Sequence, residues 1–341
     1  MAGKKGFNAI KEYTEISRSE EIAKVFYKEF ERFCETGFNT DDKVTLWLYE
    51  HYINVLREGY PEIPCEINFR SSGSGSCKRE LTMAVQAKSN ESIRPDKRKV
   101  MPHHTRWTAI GTSIGDVMQM FVLLMEKHYE RLVGEPCSFK FERLPDGAPN
   151  FEQFSTKYKT FSRGDVEFST GGSVDGVLIY TDQKTFEETR IGFEVKSKQS
   201  SYSATGHYSM KSANDKHIKQ VTNYAMLNEL DHYMIVYLNA AHQAWNIKPE
   251  NYAKYPDVRV FGIDVTQEMK DDVIENFFFV AESARDNVLP PLELDNWMFN
   301  DYKTACAKSL SYKELEVLED IATPKQEWII EDIKKLRGDI K

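Results

Sequence analysis

At 341 residues, 40% hydrophobic and 29% charged, the chain is long and apolar enough for one elaborated domain or two ordinary ones, which excludes wholesale disorder. A formal net charge of −8 excludes a surface coated in positive charge, and with it nonspecific wrapping of a duplex, though a local basic groove remains compatible. Five scattered cysteines with no CxxC pair exclude a zinc ribbon or a thioredoxin-type site. The first residues lack the apolar core of a signal peptide, and no run reads as long enough to span a bilayer. A cytoplasmic protein without a membrane partner is expected.

Residues 17–59 predict helix, with apolar steps of three and four at Ile22, Val25, Phe26, Phe30 and Phe33 and again at Val44, Leu48, Tyr52 and Val55. Pro61 and Pro64 end that pattern. Next comes a Ser/Gly loop, 70–80, whose Lys78 and Arg79 stand before a short helical run and are candidate phosphate contacts. A basic segment over 89–106 includes Arg94, Lys97, Arg98 and Arg106. The longest helix is predicted over 112–133, with Ile114, Val117, Met118, Phe121 and Met125 on one stripe and Asp116 and Gln119 on another side.

Past Gly134 and Pro136 the texture turns strand-like at 139–142, 165–169, 174–180 and 191–198. A Ser-rich loop follows, then a helix over 213–230 bearing Lys216, His217, Gln220 and Tyr224. Strands at 232–239 and 258–265 precede a helical tail broken at Pro290 and Pro291. This order predicts an α/β fold, a central mixed β-sheet flanked by helices, with helical additions at both ends. The corresponding regions are 1–106, 107–266 and 267–341.

Charge on the central strands is the chemical signal. Residues two apart in a strand share a face, so Glu194 and Lys196 project together while Phe193 and Val195 face away. If 174–180 and 191–198 pair antiparallel, Asp175 joins them. Two carboxylates suit a hard divalent cation, Mg²⁺ or Mn²⁺, with the Val195 carbonyl as a further oxygen ligand. A bound metal would acidify a water for attack on a phosphodiester, and Lys196 would orient that water or stabilise the developing charge. Taken alone, Asp-Gly also describes a turn and Glu-Val-Lys a surface ion pair.

The full series is Ser71 to Arg79, Gly111 to Gln119, Val174-Asp175-Gly176, Glu194-Val195-Lys196 and Gln220 to Tyr224 as Q-x-x-x-Y. In this order it resembles the PD-(D/E)XK nuclease superfamily, in its RecB-like branch of CRISPR-associated and phage exonucleases. The resemblance covers roughly 70–240 and implies a restriction-endonuclease-like core. It also implies a metal-dependent DNA exonuclease of recombination, repair or replication, phage-encoded by analogy. Alternatives are an endonuclease of the same fold and an inactive DNA-binding or assembly subunit.

The resemblance further implies that Asp175, Glu194, Lys196, Gln220 and Tyr224 are catalytic and that Asp116 is the helix metal ligand, standing near where the family places His or Glu. Lys97, Arg98, Arg106, Lys216 and His217 would contact phosphates. Partners would be DNA and a helicase or single-strand annealing protein. Iron–sulfur members carry clustered cysteines after the Q-x-x-x-Y helix, where this chain has only Cys306; no cluster is expected.

Overall fold

A computed structural model describes residues 16–97, 100–241 and 244–340. In chain order its elements are α1 (Arg18–Cys34), α2 (Asp42–Glu58), β1 (Asn68–Arg70), α3 (Lys78–Gln86), α4 (Pro102–Val133), β2 (Phe139–Phe141), β3 (Lys157–Arg163), β4 (Val166–Gly172), β5 (Gly176–Thr181) and β6 (Glu188–Lys198). They continue with α5 (Asp215–Asn228), β7 (His232–Asn239), α6 (Pro249–Lys254), β8 (Val258–Asp264), α7 (Gln267–Arg285), α8 (Lys303–Lys308), α9 (Tyr312–Ile321) and α10 (Glu327–Arg337).

The strands form two sheets: a five-stranded one in the order β2-β5-β6-β7-β8 and a three-stranded one in the order β1-β4-β3. In the larger sheet only β6 and β7 run parallel, with Glu194 opposite Ile235; the other pairings are antiparallel. That parallel pair needs a crossover, which α5 supplies. The arrangement is thus α/β, with mixed sheets flanked by helices.

Side-chain alternation decides what covers each face of β6. Ile191, Phe193 and Val195 enter a core with Phe26 and Phe30 of α1 and Met118, Val122 and Met125 of α4. On the other face, Tyr233, Ile235 and Tyr237 of β7 meet Val221, Tyr224 and Ala225 of α5. Each of these large side chains contributes about 1.5–3 kcal/mol by leaving water. The small sheet packs Phe69 and Phe168 on Phe277 and Phe278 of α7. α8 to α10 bury Trp297, Cys306 and Ile333 with Cys77 and Met83 of the α3 region.

Two expectations change, the start of the long helix and its fitness to cross a bilayer. The long helix begins at Pro102, ten residues before the predicted start. Pro at its first turn favours that, since no N–H is needed there. It runs unbroken through 106–107, and both flanking regions share cores with the central one. By length and composition α4 is also sufficient to cross a bilayer, against the sequence reading; from Ile114 onward, however, its apolar stripe is packed into the core.

Candidate active site

β4 ends at Gly172 and β5 starts at Gly176, so three residues join the two sheets and Asp175 is the last of them. Gly176 pairs with Phe193, and beyond that register β5 no longer accompanies β6. The Val195 N–H, left without a ladder partner on that side, donates instead to Asp175 Oδ2 at 2.7 Å. Glu194 and Lys196 lie on the α5 face of the same strand, with Lys196 Nζ 2.6 Å from Glu194 Oε1.

α5 completes the grip. Asn214 caps it by accepting from the Lys216 N–H at 2.9 Å, which sets the helix so that Gln220 faces β6. Gln220 Nε2 donates to Glu194 Oε1 at 2.9 Å, and its Oε1 accepts from Lys196 Nζ at 2.9 Å. One turn later, Tyr224 lies beside Gly172, where φ is +151° and an added Cβ would come within 3.3 Å of the tyrosine ring. Glycine there allows both the backbone angle and the approach. Asn223 ties the helix to the small sheet through Ser71 Oγ and Thr170 Oγ1, so Ser71 is a structural hydroxyl.

Glu194 is 1% exposed, and its Oε2 is buried without a hydrogen-bond partner. Burial pushes its carboxyl up despite Lys196. Asp175 is raised by burial and then by the charge of Glu194. Such desolvated oxygens are costly unless a cation or proton is shared among them.

Two residues that the sequence did not single out for this role belong to the site. Gln119 of α4 donates through Nε2 to Glu152 Oε1 at 3.0 Å and to the Asp175 carbonyl at 2.9 Å. Glu152 opens a short 3₁₀ helix, Glu152–Ser155, at φ +48°, a conformation few non-glycine residues hold, and its N–H donates to the Val174 carbonyl at 2.7 Å. Burial and the neighbouring Asp175 push it up to about 7. No local pattern marked Glu152. Gln119 was legible as a polar position one turn from Asp116.

Asp116 lies at the exposed rim, where its charge acts on both Glu152 and Asp175 and partial burial raises its own carboxyl. Among the described residues, no three His, Cys, Asp or Glu side chains are spaced as a closed metal cage. The site instead offers Asp175, Glu152, the unpartnered oxygen of Glu194 and the Val195 carbonyl, an all-oxygen set of the kind a hard cation takes.

The basic residues divide. His217 and Lys216 start α5 next to the site. His217 is pushed down to about 4 by burial and by Lys196, Lys198 and Lys216. Its Nδ1 lies 2.8 Å from the Tyr237 hydroxyl, which already accepts from the Asn214 N–H. The lowered value leaves the ring neutral at physiological pH, paired with the tyrosine hydroxyl. Lys97 and Arg106 are exposed, and Arg98 lies outside the described residues. Lys78 rests its ammonium over the Phe279 ring at 5.6 Å. Arg79 is a correction: it is 1% exposed, bonded to the Pro290 carbonyl, Ser309 and Glu314, and cannot reach a phosphate. Its neighbours lie more than 200 residues away, out of reach of any local reading.

No family model and no curated protein matches the chain. Among solved structures it is similar to the protein SSO0001, at 12% identity over 80% of this chain and 100% of that one, with a TM-score of 0.39. It is also similar to an alkaline exonuclease (LHK-Exo) from Laribacter hongkongensis, at 9% identity over 65% and 89%, TM-score 0.37. A third is a phage-related exonuclease from Haemophilus somnus 129PT, at 13% identity over 65% and 95%, TM-score 0.27.

Proposed function

We propose that the chain is a metal-dependent nuclease of the PD-(D/E)XK type that hydrolyses DNA phosphodiesters, acting as an exonuclease. One observation carries the reading: a fully buried Glu194 has one oxygen fixed by Lys196 and Gln220 and the other unpartnered, among Asp175 and Glu152. A structural ion pair has no use for such an oxygen, because leaving it unsatisfied costs about 1–3 kcal/mol.

Asp175, Glu194 Oε2, Glu152 and the Val195 carbonyl would hold the cation. The Val195 carbonyl faces the same gap as its N–H, since both point to one side of a strand residue. Bound Mg²⁺ or Mn²⁺ supplies Lewis acidity and a more acidic water. Lys196 keeps its ammonium at the mouth of the carboxylate cluster, where it meets an anionic phosphate and stabilises added negative charge. Gln220 holds both Lys196 and Glu194 in register, and Gln119 holds Asp175 and Glu152. Tyr224 stays protonated, because burial raises it far beyond neutral pH, and so presents a hydroxyl donor.

Digestion of end-labelled linear DNA and of covalently closed plasmid, with and without Mg²⁺, tests the assignment. Wild type is expected to degrade linear DNA only with metal and to spare the closed circle, while Glu194→Ala degrades neither substrate. Nicking of the circle would make it an endonuclease. Metal-independent activity, or activity surviving Glu194→Ala, would remove the site from the chemistry.

A further inference from the structure

Helix α2 carries two apolar stripes, and the fold uses only one. Val44 and Leu48 are buried and, with half-buried Trp47 and Tyr52, seat the helix on the core it shares with α1 and α4. Leu46, Tyr49, Ile53 and Leu56 face water instead, between 45% and 68% exposed. Past Gly59 the chain leaving the helix adds Tyr60 and Ile63, each more than half exposed. These positions advance by three, four, three, four and three, the repeat of a coiled-coil seam.

A helix that lies on a core by one stripe ordinarily turns polar residues outward. Here the outward stripe is apolar, and charge is confined to its rim. Glu50 and Arg57, one heptad apart, border it on the same flank, and among the described residues neither has an ion-pair partner.

Area and charge name the occupant. With about half of each side chain in water, the stripe exposes roughly 100 Å² per residue and roughly 600 Å² in all, the upper end for a monomer's largest patch. Two such stripes laid together remove roughly 1,200 Å², enough for a specific interface. In the antiparallel register that sets Ile53 against Leu56 of a second copy, Tyr49 falls against Tyr60 and Leu46 against Ile63. That register also brings Glu50 opposite Arg57, twice by symmetry. Moving it back by one heptad would oppose Glu50 to Glu50 and Lys43 to Arg57, and a parallel pair would set Glu50 beside Thr45 and Arg57 beside Tyr52. Neither forms an ion pair. A membrane surface suits the stripe less, because Glu50 and Glu58 offset Lys43 and Arg57 around it.

We infer that α2 is a self-association surface, through which two copies pair antiparallel along the outward stripe in the register set by Glu50 and Arg57. The inference is independent of the nuclease reading. It does place the candidate sites: Tyr52 packs its ring on Phe154 at 4.7 Å, two residues past Glu152, so one site lies on each side of the two-fold axis.

Sedimentation velocity of the full chain over a roughly hundredfold range of concentration tests it. Wild type is expected to pass from monomer to dimer. Leu56→Glu, at a position 68% exposed, is expected to weaken the dimer by about a hundredfold or more and to leave the circular dichroism spectrum unchanged. Glu50→Arg and Arg57→Glu should each weaken it about tenfold, since each sets two like-charged pairs across the axis, and the double reversal should restore wild-type association. A monomer at every concentration overturns the pairing, as does a dimer whose affinity survives Leu56→Glu. A double reversal no tighter than either single variant overturns the register. Monomers that bind anionic vesicles through Leu56 would make the stripe a membrane face and overturn the inference too.

Discussion

Lys196 reaches Glu194 from two residues along the same strand face, and the 2.6 Å contact leaves the second oxygen of that buried carboxylate with no partner. Replacing Lys196 by Met removes the one nearby charge that lowers the Glu194 carboxyl, so its pKa rises further and deprotonation, hence metal binding, moves to higher pH. Cleavage is expected to fall by about 10²–10³-fold. The acid limb of the pH–rate profile should move upward, which initial rates across pH would show. An unmoved limb would mean that Lys196 acts on the substrate without tuning Glu194.

Glu152 gives a stability signature. Its folded value of about 7 lies above the ordinary 4.5, so the folded chain keeps a proton that the unfolded chain has released. That contribution is complete below about pH 4.5 and is lost as pH rises through 7. Metal-free protein is therefore expected to lose up to roughly 3 kcal/mol of stability across this window. Denaturant titrations in EDTA at several pH values would show the slope, and Glu152→Gln should make it shallower, with the raised Asp175 and Glu194 carrying the rest. Adding Mn²⁺ at the alkaline end should restore stability by replacing the proton.

Arg79→Met separates architecture from DNA contact. The substitution strands the Pro290 carbonyl and unpairs Glu314, a loss of roughly 2–4 kcal/mol. Chemical denaturation is expected to show the loss, with DNA affinity unchanged wherever the protein remains folded. Weakened DNA binding at unchanged stability would reverse the structural assignment.

Gly262→Ala tests how α1 seats on β8. An added Cβ would fall 2.1 Å from backbone atoms of Ser19, which cannot swing aside like a side-chain tip. The helix start must back away and disturb the Ser19 bonds to Asp264, at a cost of about 2 kcal/mol or more. A thermal midpoint several degrees lower is expected from calorimetry.

What could be read from the residues depended on whether neighbours in space were neighbours in pattern. β5 to β8 and α5 showed themselves because a buried strand or helix face writes its own periodicity. β3, Lys-Tyr-Lys-Thr-Phe-Ser-Arg, has no residue fully buried on either side and pairs along one edge only, so polar residues filled it and hid it. The start of α4 was hidden because it covers no core, leaving no apolar stripe to read. Glu152 and the burial of Arg79 come from contacts set by the whole fold, which no window of sequence contains.

The three residues 173–175 between β4 and β5 have a consequence for how the chain tolerates change in length. They are the short splice by which one sheet hands the backbone to the other, and Asp175 is aligned with Glu194 only because that splice has no slack. One added residue there would shift the register of Asp175 against the Val195 N–H. The β5–β6 hairpin turn at 182–187, mostly exposed at its tip, can lengthen without disturbing either carboxylate. Insertions along this lineage are accordingly expected in the hairpin and not in the splice.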